Sequence, residues 1–319
     1  VGIHRVHGAY ITRGARHADP YPFYATLRRD YPAYYSEGAR CWVLSRHADV
    51  VAAMGQPLVF SSTAGNVIND SPEKVGRTVG SVDPPRHTRL RSVVNDAFNR
   101  KQVMGEAARI RAEVARLMDA APNGPFDLVR AITAPLAGAV MSSLLGMDDI
   151  DPVRFKTLLD ANLFRDPITR ERTAEGVQAQ ADLLALVAEG VACKRGRPGP
   201  ELISYLLAAE TGGDGLSSDE VVWMARAVLG AGFESTSSLL ANGTLALLDV
   251  AQRPGRHLGL GYGIHFCAGA VLARLVGHAY FSELAERLPA LRRAGGEPLQ
   301  WAHSPTFRSL TALPVTTLP

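Results

Sequence analysis

Residues 258–275 read LGLGYGIHFCAGAVLARL and set one thiol, Cys267, just ahead of an apolar helical run. A helix start carries partial positive charge, so a thiol there ionises more readily. An ionised sulfur does two kinds of chemistry, nucleophilic attack and metal ligation. Glycines at 259, 261, 263 and 269 clear space around it, and glycine at 269 would let a flat macrocycle lie against the helix start. Zinc is a poor fit, because it needs partner cysteines nearby and Cys41 and Cys193 are remote in sequence. A dinucleotide loop needs a preceding strand, which AQRPGRH at 251–257 does not make.

The second chemical stretch is GAGFESTSS at 230–238. Each glycine in a helix interior costs about 1 kcal/mol relative to alanine. The acid Glu234 and the hydroxyls Ser235 and Thr236, set in an otherwise apolar helix, add a desolvation cost. Two readings account for them. One is close helix packing, with hydroxyls bonded back to the preceding turn. The other is a helix opened for a flat ligand, with Glu234 and Ser235 passing protons to bound oxygen.

Helices must position both stretches. The longest spans 217–248, opened by the capping pattern SSDE. After residue 221 it carries only Arg226 and Glu234 as charges, so it is buried nearly all round. The helix after Cys267 runs to about 287. Upstream, periodicity and stop signals predict helices at 20–30, 46–54, 86–119, 129–145, 151–165, 170–194 and 200–209, with a hairpin at 33–45. The closing residues 299–318 read as strand, turn, strand. The sum is mainly α with a minor β part.

The chain has 319 residues, 46% hydrophobic and 20% charged, a globular composition. A net charge of +3 is too weak to argue for a nucleic-acid partner. Three scattered cysteines argue for a reducing compartment. The N-terminal residues lack the apolar core of a signal peptide, and no run offers the ~20 apolar residues of a membrane span. A cytoplasmic protein, away from membrane, is expected.

Residues 257–275, HLGLGYGIHFCAGAVLARL, resemble the heme-binding loop of the cytochrome P450 family. Other stretches resemble its bacterial soluble branch in family order: HADPYPFYATLRRDYPAYY and WVLSRHADV near the start, DPPRHTRLRSVVNDAF at 83–98, LGAGFEST at 229–236 and SPTFRSLTALPV at 304–315. The resemblance covers nearly the whole chain and implies a single P450-like domain over 1–319. It implies Cys267 as the proximal thiolate on heme iron, a ligand that favours O–O cleavage. His265, with His87 and Arg91 one helical turn apart, would bind the heme propionates, and Gly269 would leave room beside the ring. Glu234 and Ser235, with Thr236 beside them, fall at the family's acid–alcohol pair, which delivers protons to dioxygen. Ala231 and Gly232 would border the distal heme face. Phe233, Phe307 and Leu310 are candidates for the substrate pocket, with a plain core role equally open to them.

The implied function is a heme-thiolate monooxygenase in bacterial secondary metabolism, inserting one atom of dioxygen into a small organic substrate. Its cofactor is heme b with iron, and dioxygen is the co-substrate. Electrons come ultimately from NAD(P)H through a reductase and a ferredoxin-type donor, for which Arg253 and Arg256 offer basic docking charges. The chain also departs from the family pattern. Ser235 stands where threonine is usual, and Leu260 where an aromatic opens the cysteine loop. Several dozen residues, including a Glu-x-x-Arg helix, are missing near 248–249. The eleven residues 249–259 extend to ~35 Å, enough to span the ~22 Å of half the long helix, so the loop can still reach the heme. The missing support suggests a second reading, a non-catalytic relative that helps or binds a partner enzyme through bared apolar surface.

Overall fold

A computed structural model describes residues 19–37, 39–68, 70–147, 150–166, 171–211, 216–249, 257–304 and 306–317. Helix α1 (Tyr21–Asp30) leads into a hairpin of β1 (Ala33–Ser36) and β2 (Cys41–Leu44), in register Ala33↔Leu44. Helix α2 (His47–Met54) and an irregular stretch follow. The region 86–119, expected as one helix, is three: α3 (Arg86–Ala97), α4 (Arg100–Gly105) and α5 (Ala107–Asp119). Asn99 makes the first break. Its extended backbone leaves the helix, and its side chain accepts from the Gln102 N–H as a cap. Glu106, between α4 and α5, carries no apolar signal that would mark a boundary.

After β3 (Pro125–Asp127) come a π-helical turn at Val129–Thr133, α6 (Ala134–Leu145), α7 (Pro152–Leu163), α8 (Ala174–Lys194) and α9 (Leu202–Thr211). The long helix is α10 (Ser218–Leu248), opened by a reciprocal box between Ser217 and Glu220. The last helix is α11 (Ala270–Arg287). The closing segment was expected as strand, turn, strand. Trp301 and Leu310 do pair antiparallel across a hairpin, but the pairing is too short for two strands. Strand β5 (Pro314–Thr316) instead sits between β3 and β4 (Arg292–Arg293).

The architecture is mainly α with a minor β part, and α10 is its axis. It packs against α6, α7, α8, α9 and α11. Leu229, Phe233, Leu240 and Ala241 are at most 1% exposed. The polar residues of α10 are satisfied within that core: Thr244 bonds the Leu240 carbonyl and the Tyr280 hydroxyl, and Ser237 bonds Thr133. One stripe is not covered. Ala231 and Ser235 are exposed and Leu239 is 47% exposed, at positions i, i+4 and i+8 on one face.

Candidate heme-thiolate site

The cysteine loop is built by its glycines. Gly261 and Gly263 take left-handed backbone angles, φ +76° and +67°. A Cβ on Gly263 would stand 2.4 Å from the Met54 carbonyl oxygen, so the loop can lie on the end of α2 only with glycine there. The loop folds back on itself: the Cys267 N–H donates to the Leu260 carbonyl at 2.8 Å, and the Phe266 N–H to the Gly263 carbonyl at 3.1 Å. Cys267 is left half-buried, three residues ahead of α11. A Cβ on Gly269 would meet Phe98 at 3.4 Å and the Cys267 sulfur at 4.0 Å. Gly269 thus keeps the sulfur's flank open.

Helix α3 lays a cluster of nitrogen donors against this loop. Arg91 Nη2 donates to the Phe266 carbonyl at 2.6 Å, and Nη1 reaches the Ile264 carbonyl at 3.5 Å. The rings of His87 and His265 meet edge to face with centroids 4.5 Å apart. His265 Nε2 shares a hydrogen bond with Ser62 Oγ at 3.2 Å. His87 is buried, and its Nε2 has no partner among the described residues. Burial, then the neighbouring His265 and Arg91, hold the His87 pKa below the usual histidine value. Burial likewise lowers His265 and Arg91.

A heme fits this donor set. An orphaned buried imidazole nitrogen beside an arginine and a second histidine is an environment that gains from carboxylates, and the heme's propionates supply two. The half-buried sulfur beside a side-chain-free Gly269, and the uncovered stripe of α10, suit the two faces of a flat ring.

On α10 the acid and the alcohol are neighbours in sequence but not in space. Ser235 is exposed and donates its hydroxyl to the Ala231 carbonyl at 2.6 Å. Glu234, about 100° round the helix, is 3% exposed. Its Oε1 accepts from Ser309 Oγ at 2.5 Å and Ser238 Oγ at 3.2 Å, and Lys156 Nζ lies 3.5 Å from its Oε2. Lys156 also pairs with the half-exposed Asp160, whose pKa is raised by burial despite that lysine. Thr236 is half-buried.

The structure thus gathers Cys267, His265, His87 and Arg91 at one loop, and sets Ala231, Ser235 and Glu234 on α10 with no hydrogen bond to that loop among the described residues. Gly232 abuts Met141 of α6, where a Cβ would stand 2.3 Å from the sulfur, so helix packing already accounts for that glycine. Of the pocket candidates, Phe233 is core, its ring 5.1 Å from that of Phe155. Leu310 is core at 3% exposure, and Phe307 is half-buried in the closing hairpin. Arg253 and Arg256 lie outside the described residues. Sequence reasoning missed Lys156, Ser309 and Ser62, which reach the site from distant elements and carry no local motif.

No family model matches the chain. Among curated proteins it is 29% identical to the cytochrome P450 monooxygenase PikC of Streptomyces venezuelae, over 93% of this chain and 91% of that one. It is 34% identical to the cyclomarin C epoxidase CymV of Salinispora arenicola, over 69% of this chain and 58% of CymV. The solved structure of the cytochrome P450 PksS, from the bacillaene polyketide synthase of Bacillus subtilis 168, superposes with a TM-score of 0.81 at 24% identity, covering 97% and 100% of the two chains. The PikC alignment runs over 384 positions, more than the 319 residues present, so dozens of residues of PikC have no counterpart. Seven residues, VAQRPGR, separate Asp249 from His257, and they contain no Glu-x-x-Arg. The chain belongs to the bacterial cytochrome P450 family of monooxygenases.

Proposed function

We propose that the chain is a heme-thiolate monooxygenase that inserts one atom of dioxygen into a small organic substrate of bacterial secondary metabolism. The observation that carries this reading is the convergence of Cys267, His265, His87 and Arg91 on one glycine-shaped loop. Cys267 would hold the iron, while His87, Arg91 and His265 would hold the propionates. Bound there, heme b supplies the activation of dioxygen.

The chain's own residues supply protons and shape. The Glu234 carboxylate is fixed inside α10 by Ser309 and Ser238 and would take part in proton supply. Asp160, half-exposed, connects it to solvent through the Lys156 ammonium. Ser235, on the uncovered stripe, presents the hydroxyl that orders dioxygen. Its O–H is engaged with the Ala231 carbonyl and would have to leave it to donate to dioxygen, which has no proton of its own to give. Electrons would come from NAD(P)H through a ferredoxin-type donor and its reductase, and the compartment would be the cytoplasm. Among the described residues no helix is long and apolar enough to cross a membrane.

Heme titration tests the reading. One heme per chain is expected, with affinity lowered at least tenfold in a H87A/R91A variant. No uptake by the wild type overturns it. One observation favours a second reading as a non-catalytic helper: Leu239 and Leu247 of α10 are 47% and 44% exposed. A colourless chain that purifies with a partner enzyme would support that reading instead.

A further inference from the structure

Arg226 lies nine residues before Ser235 on α10, about 13 Å along the axis. Its Nη2 donates to Asn162 Oδ1 of α7 at 2.9 Å and to Gln180 Oε1 of α8 at 3.1 Å. Both acceptors are neutral. Asn162 Nδ2 also donates to Gln180 Oε1 at 3.0 Å, which fixes the orientation of both amides. Gln180 Nε2 therefore points elsewhere, and in a side chain only 8% exposed it meets no acceptor among the described residues. Arg226 Nε is also buried without an acceptor, and no carboxylate pairs with Arg226 among the described residues.

A second guanidinium, that of Arg172, is felt electrostatically by both Arg226 and Lys74, and its Nε is buried with no partner among the described residues. Burial, and then the charge of Arg172, pull the Arg226 pKa down to about 10, opposed by Asp70. Asp70, however, is already paired with Lys74 at 2.9 Å. Glu73, the other acid that Arg172 feels, is exposed. Among the described residues, Arg226, Arg172 and Lys74 feel one another and share the acid Asp70, with donors left over on three elements. A polar staple between α7, α8 and α10 would need the Nη2 bonds alone. Arg226 Nε, Arg172 Nε and Gln180 Nε2 find no acceptor among the described residues. Gly230 adds direction: a Cβ there would stand 2.9 Å from Arg226 Nη1, so its absence lets the guanidinium lie along α10 one turn nearer Ser235.

We propose that Arg226, with Arg172 and Gln180, binds the carboxylate of an acidic organic substrate whose reacting carbon then lies near Ser235. Guanidinium and carboxylate pair through parallel charge-assisted bonds, and an anion relieves the repulsion between the two arginines. The inference rests on the monooxygenase reading and names its substrate class.

Calorimetry on the heme-loaded chain tests it with two matched pairs, decanoate against decanamide and 4-phenylbutanoate against its primary amide. At least one acid should bind tenfold or more tighter than its amide. R226Q and R172Q should each remove that preference while leaving the amide's affinity unchanged, and R226K should keep part of it. Equal binding of acids and amides overturns the proposal. So does a R226Q variant that weakens both alike with a fall in Tm, the signature of a staple. If R226Q does not fold, R172Q decides, because Arg172 Nε has no partner to lose among the described residues. Inorganic phosphate that displaces decanoate with equal affinity would mark a free-anion site and overturn the substrate assignment. Failure of the monooxygenase reading shows separately, as absence of a thiolate heme spectrum in the wild type.

Discussion

His87 is buried with an unpartnered Nε2, and its pKa is lowered first by burial. In the heme-free chain the folded state therefore resists its protonation, while the unfolded chain takes up the proton first as pH falls. Stability from this residue is complete above the unfolded histidine value and declines as pH drops through it. Denaturation measured between about pH 7 and pH 5 should show a steeper loss for the wild type than for H87Q. An equal slope would refute the burial argument. Gly263 is the second test at this scale. Alanine there meets both a positive φ and the Met54 carbonyl, so G263A should cost at least about 1–3 kcal/mol, read from the shift in thermal midpoint. Gly263 was legible in sequence, because the cysteine loop is contiguous and its glycines mark the turns, whereas His87 stood out only through the family resemblance of DPPRHTRLRSVVNDAF. Ser62, Lys156 and Ser309 were not. Their roles come from contacts across 203, 78 and 75 positions of chain, which no local pattern records.

Helix α10 was legible as an element for a different reason: its capping box is local, and its apolar run has no competing signal. The 86–119 region was misjudged because Asn99 interrupts a pattern that periodicity alone would continue. What sequence did not show on α10 is the split between faces. Glu234 looks inward to Ser309, Ser238 and Lys156, whereas Ser235 looks outward. On the proposed function the carboxylate would serve proton supply and not hold heme. E234Q should therefore bind heme as the wild type does, with turnover lowered about 10²-fold or more, the range of a lost acid–base group. Equal loss of heme content and turnover would show that Glu234 is structural.

At the scale of the whole molecule, the chain keeps the family's long helix, cysteine loop and donor cluster, yet is shorter than the alignment with PikC. On the family resemblance the missing residues fall near 248–249, beside Leu247, which is 44% exposed. The loop keeps its shape through its own bonds, through α2 beneath Gly263 and through Arg91 on its carbonyls. These local supports predict that the sulfur remains a competent ligand without the missing elements. The direct measurement is the absorption spectrum of the heme-loaded chain, reduced, with carbon monoxide. A strongly red-shifted Soret band that vanishes in C267A is expected. Failure to take up heme, or a band that C267A leaves unchanged, would contradict Cys267 as the iron's thiolate.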